Sequence, residues 1–324
     1  MNMNRRRFAI AAGLAPFAAS LPRWAIAAPQ FESLNMFIPA APGGGWDTTG
    51  RVIEQVCRAA GLVTNFQFEN VGGAGGMVGL PKFVSQRKGQ GNALLVGGSV
   101  MVGAGIANKS PITIKDVVPI ARLTEEAGVI VVPSSSPHKN WKDFAAALKA
   151  NPKGTSVAGG SAGGTDHLLL GMLLKDLGAN PKDAAYVAFA GGGAAVAAII
   201  GGQVSAGISG YSEFAEHIKS GRLRAIAVSG NARIPGVDVP TLKELGTPIA
   251  TANWRGVFGA PGITPAQVKA LGDLMTAMRN SAQWKEQLEQ RKWVDTFLAG
   301  DAFVKDVADD IRDTDTVMKE LGLA

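Results

Sequence analysis

Short apolar runs along the chain end in glycine clusters and lead into segments with a helical spacing of hydrophobic residues. The first unit begins with the apolar run 34–38, passes through the glycines 43–45 and continues into a predicted helix at about 47–60. Four such units lie at residues 34–60, 65–86, 155–177 and 186–200. Strands that alternate with helices in this way predict α/β layers with a largely parallel sheet.

The four units divide two and two along the chain, and an apolar strand predicted at 128–133 lies between the pairs. Two helices are predicted near 265–280 and 282–291, and a final helix follows them. One face of that final helix carries Phe303, Val307, Ile311, Met318 and Leu321, so it needs an existing surface to cover. The pattern predicts two α/β domains, each a mainly parallel sheet flanked by helices.

Length and cysteine content support this organisation. The chain has 324 residues, enough for about two domains with sizeable cores, which excludes a small disulfide-stapled scaffold. Its 42 glycines are clustered without a triplet period, which argues against a collagen-like chain. The single cysteine, Cys57, has no disulfide partner and falls in a helical pattern, so we expect it to be a small buried apolar residue.

The N-terminus has the three parts of an export signal. Arg5, Arg6 and Arg7 precede an apolar stretch at 8–19, and Ala25-Ile26-Ala27 resembles a small-residue cleavage site. We assign residues 1–27 to this signal, because the apolar stretch is too short to span a bilayer. The arginines also fit a twin-arginine signal, although the flanking residues depart from it, so the twin-arginine and general secretory routes both stay open.

The net charge of +6 comes largely from this leader. Four of the 32 basic residues and none of the 26 acidic ones lie in residues 1–27, which leaves 28 basic against 26 acidic residues. The remaining chain also lacks a face of clustered lysines and arginines with interleaved aromatics. These features disfavour nucleic acid as a partner.

The glycine turns predict anion binding. A strand that ends in glycines and opens a helix presents unpaired backbone N–H groups and the positive end of the helix dipole. In open α/β sheets, ligands bind outside the carboxyl ends of the strands, which is where all four turns fall. A single turn of this kind is often only a tight turn, but four of them indicate a site.

Nucleotide motifs do not fit these turns. The glycines that begin at Gly43 and Gly73 lack the third glycine of the dinucleotide fingerprint. The segment 103–110 approaches a phosphate-binding loop, but Asn108 stands where that loop requires glycine. We therefore expect no nucleotide cofactor, and indeed no cofactor of any kind.

Enzymatic alternatives are weaker. Gly159-Gly160-Ser161-Ala162-Gly163 matches the nucleophile elbow of serine hydrolases, with Ser161 as the nucleophile. However, none of the three histidines, His138, His167 and His217, lies late in the chain on a predicted loop, where such an enzyme needs its base. Three scattered histidines and one cysteine also form no metal-ligand spacing. We expect no catalytic residue and no metal.

Arg255 is the remaining singular feature, because it lies in an apolar segment where its charge must meet a carboxylate. The sequence leaves two partners open. The carboxylate belongs either to a ligand or to an acidic residue of the protein that forms an interdomain ion pair.

Taken together, the residues resemble the extracytoplasmic substrate-binding proteins of tripartite tricarboxylate transporters over about 33–323. The resemblance rests on five motifs that occur in the same order: Pro39-Ala40-Ala41-Pro42-Gly43-Gly44-Gly45-Trp46-Asp47, Gly73-Ala74-Gly75-Gly76, Gly160-Ser161-Ala162-Gly163-Gly164-Thr165-Asp166-His167, Gly201-Gly202-Gln203-Val204 and Val239-Pro240-Thr241-Leu242. The triple glycine with Trp46 and the segment Asn253-Trp254-Arg255-Gly256 look like the tricarboxylate branch of that family.

The resemblance implies a type II, Venus-flytrap binding protein whose two α/β domains close on a small carboxylate. By position, the first clamp would be Gly43, Gly44, Gly45, Trp46, Asp47 and Thr48, and the second would be Ser161, Ala162, Gly163, Thr165 and Asp166. The floor would be Gly73, Ala74, Gly75 and Ser99, with Ser209, Tyr211 and Arg255 towards the distal end of the ligand. We expect Asp47 to cap helix amides or to bind a water molecule. The domains would be 28–127 plus 253–324, and 128–252.

One departure from the family concerns the second domain. Many relatives have Pro-Tyr-Lys-Gly where this chain has Ala188-Phe189-Ala190-Gly191, so contacts by that Tyr and Lys are absent here. The resemblance implies a monomeric periplasmic protein that captures a di- or tricarboxylate, citrate-like in kind, and delivers it to membrane components of the transporter. A periplasmic sensor subunit that presents the ligand to a kinase would use the same clamp and remains the alternative.

Overall fold

The computed structural model describes residues 30–324 of the chain. The predicted export signal at 1–27 lies outside the described residues. Within the described part, no helix combines the length and the apolar character that crossing a membrane requires.

The described residues contain ten strands and ten α-helices. The strands are β1 (Phe31–Ile38), β2 (Val63–Asn70), β3 (Ala93–Gly98), β4 (Val118–Pro133), β5 (Val157–Gly159), β6 (Tyr186–Ala188), β7 (Ala206–Gly210), β8 (Leu223–Val228), β9 (Ala252–Gly259) and β10 (Val294–Ala299). The helices are α1 (Gly45–Ala59), α2 (Gly79–Gln86), α3 (Ser99–Ala107), α4 (Trp141–Ala150), α5 (Thr165–Asp176), α6 (Gly192–Ile200), α7 (Tyr211–Lys219), α8 (Pro265–Asn280), α9 (Ala282–Arg291) and α10 (Asp301–Leu321).

The strands follow the order β2-β1-β3-β9-β4-β7-β5-β6, and β8 and β10 also pair with β4. Parallel pairing joins β1 to β2 and β3, and it joins β5 to β6 and β7. The pairings of β4 and β9 are antiparallel. The predicted parallel arrangement therefore holds for the strands that carry the glycine turns, and the sheet as a whole is mixed.

β4 is a single strand of 16 residues that runs through both halves of the molecule. Its first part, up to Ala127, pairs with β9, and the part from Gly128 onward pairs with β7 and β8. The sequence pattern predicted a strand only at 128–133. The earlier part was missed because Arg122, Glu125 and Glu126 interrupt its apolar run.

The buried apolar side chains form separate cores on the two sides of this crossing. One core spans Leu34–Leu123 and Trp254–Val307, and the elements packed on it are called lobe 1 here. Two adjoining clusters between Val129 and Leu242 form the core of lobe 2. This is the two-domain α/β fold that the sequence predicts.

The final helix lies where its amphipathic face predicts. In α10, Phe303, Val307, Met318 and Leu321 are buried, and Ile311 packs against the lobe 1 core. Its C-terminal end reaches α5 of lobe 2, where a Cβ added to Gly171 would lie 2.9 Å from Leu321 Cδ1. Cys57 is fully buried in lobe 1, as predicted, and burial raises the pKa of its thiol to about 12.

Candidate functional site

A cavity of about 370 Å³ lies between the two lobes. Lobe 1 contributes residues of the loops 39–46 and 73–76, and lobe 2 contributes residues of the loops 160–166 and 188–191. Five further residues complete the wall: Val100, Ser209, Glu213, Asn253 and Arg255. All four glycine turns that the sequence singled out therefore meet at one place.

Two long helices begin at the cavity. Gly44 is the N-cap of α1 and Gly164 is the N-cap of α5, and neither helix has a side-chain cap. The first intrahelical bonds are donated by the amides of Thr48 and Leu168, so the amides of each first turn have no partner within the helix. The positive ends of two helix dipoles therefore border the same cavity.

The lobes touch beside the cavity through glycines. A Cβ added to Gly103 of α3 would lie 2.1 Å from the carbonyl oxygen of Gly163. A Cβ added to Gly75 would lie 3.4 Å from Cβ of Ser161. Any larger residue at Gly103 would force the lobes apart, so this close approach requires glycine.

Arg255 pairs with a protein acid, Glu126, which by the predicted bounds belongs to the same domain, so the pair is not the interdomain one that the sequence left open. Nη2 of Arg255 lies 2.7 Å from Oε2 of Glu126, and both side chains are at most 2% exposed. Glu126 also accepts a hydrogen bond of 2.6 Å from the amide of Ser212 at the start of α7. Arg255 still borders the cavity, and its buried Nη1 has no hydrogen-bond partner in the protein.

Two glycines make room for this ion pair. A Cβ on Gly45 would lie 2.8 Å from Nη2 of Arg255, and a Cβ on Gly210 would lie 2.6 Å from Oε2 of Glu126. The guanidinium also lies over the ring of Trp293, with Cζ 5.4 Å from the ring centroid. The first turn of α1, the strand crossing and α7 are thus packed around one buried pair.

Two carboxyl groups line the cavity near Arg255. Asp166 accepts hydrogen bonds from the Gly160 amide (2.8 Å) and the Thr165 hydroxyl (3.3 Å). Burial, with a smaller contribution from the neighbouring Glu213, raises the pKa of Asp166 from 3.8 to about 7. Burial also raises the pKa of Glu213. The hydrogen bond from Ser209, the charge of Arg255 and the nearby Gly193 amide oppose this rise.

Most of the predicted binding residues line this cavity. They are Gly44, Gly45, Trp46, Gly73, Ala74, Gly75, Ser161, Ala162, Thr165, Asp166, Ser209 and Arg255. The cavity residues that the sequence did not assign to the site include Glu213 and Asn253, although Asn253 belongs to the motif that contains Arg255. Glu213 lies in the first turn of α7, just after the strand-to-helix turn at Gly210, and that position is the signal that could have drawn attention to it.

Six predicted residues lie outside the cavity wall: Gly43, Asp47, Thr48, Ser99, Gly163 and Tyr211. Asp47 turns into lobe 1, where its carboxylate accepts bonds from the Gly43 amide and from Asn70. Ser99 accepts a 3.1 Å bond from the Trp254 amide, which ties α3 to β9 rather than lining a floor.

Three other residues of this set have structural roles. Gly163 packs against Gly103 at the contact between the lobes, and Tyr211 lies in the lobe 2 core. Thr48 lies one turn into α1, where its amide closes the first helical bond with Gly44.

The hydrolase alternative lacks its base. His167, the histidine nearest Ser161 in sequence, accepts a 3.1 Å bond at Nδ1 from the Gly163 amide. Its ring stacks on Tyr186 with centroids 4.4 Å apart. Among the hydrogen bonds of residues 30–324, none joins Ser161 to a histidine, so the nucleophile and base of a triad are not assembled. The same residues contain no cluster of three or more His, Cys, Asp or Glu side chains that could hold a metal ion.

Comparison with known proteins agrees with this geometry. Residues 54–323 match the family model described as tripartite tricarboxylate transporter family receptor. The chain belongs to this receptor family. Protein BugT of Bordetella pertussis is 28% identical over 270 residues, which cover 82% of this chain and 81% of BugT.

Solved structures show the same fold. One described as a periplasmic transporter is 26% identical, with a TM-score of 0.82 over 90% of this chain and 98% of that chain. MatC from Rhodopseudomonas palustris, solved with bound malate, is 24% identical, with a TM-score of 0.78 over 88% of this chain and 98% of MatC. The protein is accordingly a solute-binding receptor and not an enzyme.

Proposed function

We propose that this receptor captures a small di- or tricarboxylate, citrate-like in kind, in the periplasm and delivers it to membrane components of a tripartite tricarboxylate transporter. One observation carries the proposal: the uncapped N-termini of α1 and α5 and the side chain of Arg255, whose Nη1 has no hydrogen-bond partner, border one cavity. Its volume of about 370 Å³ lies within the range of roughly 300–1,000 Å³ that is usual for small-molecule sites. MatC, with its bound malate, supports a carboxylate as the ligand class.

The binding energy would come mainly from backbone dipoles. Each helix end contributes about 0.3–1 kcal/mol to binding an anion when exposed and up to ~2 kcal/mol when partly buried. Arg255 adds a charged donor whose own charge is already partly neutralised by Glu126. A ligand that contacts both lobes binds the closed state better than the open one and thereby shifts the population towards closure.

The moving bodies in this proposal are 28–127 plus 253–324 on one side and 128–252 on the other. Residues 1–27 would direct export, by either the twin-arginine or the general secretory route, and be removed. The mature receptor would act as a monomer, because each chain carries both halves of the clamp.

Thermal-shift measurements on residues 28–324 test this function. Citrate, malate and adipate should be compared with uncharged analogues in which amides replace the carboxylates. We expect stabilisation by carboxylates alone. Equal stabilisation by the uncharged analogues would overturn the proposal.

A cavity variant links that stabilisation to the site. Ala162 is exposed within the cavity wall, so Ala162→Leu should reduce carboxylate affinity at least tenfold. Ala146 is exposed on α4, away from the cavity wall, which makes Ala146→Leu the matched control. Recovery of transporter membrane components with ligand-loaded receptor, and not with this variant, tests delivery.

A further inference from the structure

One part of the cavity wall is acidic. Among the described residues, the charged side chains that line the cavity are Asp166, Glu213 and Arg255. A third acid, Glu126, lies directly behind the wall, where it pairs with Arg255 and caps α7 at Ser212. Three carboxyl groups therefore share one guanidinium around a site expected to take an anion.

Two buried acceptors on this wall lack a hydrogen bond of normal geometry. Glu213 uses Oε2 to accept a 2.5 Å bond from the Ser209 hydroxyl, whereas its Oε1 makes no such bond, although the Gly193 amide lies close to the carboxylate. Oδ1 of Asn253, on β9, is buried and unpartnered in the same way. Leaving buried acceptors unpaired costs free energy, so a ligand that brings donors to them gains affinity over one that does not.

Nη1 of Arg255, a nearly completely buried side chain, is a donor without a hydrogen-bond partner. It suits a ligand carboxylate, and so do the amide ends of α1 and α5. A second ionised carboxylate placed against Glu213 would meet a like charge in a poorly solvated site. No metal-ligand cluster among residues 30–324 is available to neutralise that charge.

We propose that Glu213 and Asn253 determine specificity by accepting hydrogen bonds from a hydroxyl or amino group of the ligand, while Arg255 and the helix ends take its carboxylates. The proposal rests on the proposed function and narrows its ligand class to carboxylates that carry such a donor. A ligand that presents only ionised carboxylates to this wall leaves both acceptors unpaired and binds more weakly.

Burial raises the pKa of Glu213, with Ser209, Arg255 and the Gly193 amide opposing that rise and Glu126 adding to it. A donor bonded to Oε1 would stabilise the ionised form, because hydrogen bonding to a charged carboxylate lowers its pKa. Ligand binding and ionisation of Glu213 would therefore support each other.

Matched ligand pairs test the proposal by calorimetry on residues 28–324. Citrate differs from tricarballylate by one hydroxyl, and malate differs from succinate in the same way. Aspartate replaces that hydroxyl with an ammonium group and so distinguishes the two kinds of donor. We expect the donor-bearing member of at least one pair to bind about tenfold more tightly, which is the size expected for a hydrogen bond to a charged group.

Glu213→Gln should reduce that ratio to about threefold or less, mainly by improving the affinity for tricarballylate or succinate. The matched control is Glu216→Gln, on the exposed face of the same helix, where Glu216 pairs with Lys219. The ratio of affinities within each ligand pair should be the same for this variant as for the wild type. Asn253→Ala, a second variant, should also reduce the ratio.

Equal affinities within both pairs would overturn the proposal while leaving carboxylate binding intact. A preference that depends on added Na⁺ or Mg²⁺ would also overturn it, because a cation would then neutralise the acids. If none of the five probes binds, the proposed function itself fails, so the two failures are distinguishable.

Discussion

Nη2 of Arg255 and Oε2 of Glu126 lie 2.7 Å apart in a pair that is almost entirely shielded from water. The two residues stand on neighbouring strands, Arg255 on β9 and Glu126 on β4, next to the point where β4 passes from lobe 1 to lobe 2. Glu126 also bonds to the first turn of α7. The pair therefore links the sheet of lobe 1, the crossing and a helix of lobe 2.

Removing one member of this pair should destabilise the protein strongly. Arg255→Met leaves Glu126 buried without its counter-ion, which typically costs about 3–5 kcal/mol. Glu126→Gln added to Arg255→Met removes the uncompensated charge and should restore at least half of that loss. Urea unfolding of the two single variants and the double variant gives the coupling. Additive losses would show that the two side chains do not stabilise each other.

Widening the contact between the lobes should weaken ligand binding. Gly103→Ala places a Cβ 2.1 Å from the Gly163 carbonyl oxygen in the described arrangement, so closure would require a shift of the backbone. We expect at least a tenfold loss of carboxylate affinity by calorimetry. The open form should remain stable, because alanine is a better helix former than glycine.

Gly272→Ala provides the control for this change. Gly272 lies in α8, and a Cβ added there meets nothing within 4 Å. The carboxylate affinity of Gly272→Ala should equal that of the wild type. Small-angle scattering with saturating citrate should show compaction of the wild type and of Gly272→Ala, and less compaction of Gly103→Ala. Full compaction of Gly103→Ala would contradict the role given to this contact.

The stability of the ligand-free protein should fall as pH rises through the titration of Asp166. Its pKa is raised from 3.8 to about 7, so the folded state holds this proton more tightly than the unfolded state. The contribution is fully present below about pH 4 and is lost by pH 7. Asp166→Asn should flatten that part of the profile, measured by urea unfolding between pH 4 and pH 8.

Three other groups must be separated from this effect. Burial raises the pKa of Glu213, so that group acts in the same direction as Asp166. Burial raises the pKa of Asp310 to about 6, so it acts in the same direction over a narrower range. Burial lowers the pKa of His167. Because of this group the protein loses stability as pH falls below 6.5, which is the opposite direction to the effect of Asp166. Asp310→Asn should leave the decline between pH 6 and pH 7 in place. An unchanged profile in Asp166→Asn would refute the assignment.

Cys57 should be inert in the folded protein. It is fully buried, and its pKa of about 12 leaves almost no thiolate near neutral pH. Ellman's reagent should react rapidly only in denaturant. Saturating citrate should slow the residual reaction further, since a bound ligand lowers the unfolded population. Rapid reaction of the native protein would place the thiol near the surface instead.

The sequence predicts the local structure of this protein well. The helices at 265–280 and 282–291 have the bounds expected from their spacing of apolar residues, and the predicted face of α10 is buried. The glycine turns at Gly44 and Gly164 open helices onto the cavity as expected. These features depend on neighbours in the chain, which is why the sequence reveals them.

Long-range pairings were not predictable in the same way. The need of Arg255 for a carboxylate was readable, but its choice of Glu126 depends on the register of β4 against β9. Glu213 resembles an ordinary helix acid until the fold turns it towards the cavity. Ser99 and Tyr211 were placed in the site by family position, and in this chain they serve strand contacts and the core instead.

The unbroken course of β4 limits how the receptor can be divided. The strand pairs with β9 and β10 before Gly128 and with β7 and β8 from Gly128 onward. Because β9 and β10 follow Gly128 in the chain, a cut at that glycine would leave the first half of β4 on a fragment without these partner strands. Neither fragment would keep a complete scaffold. Reporter insertions or chain permutations are therefore better placed at surface turns, and the lobes should unfold as a single cooperative unit.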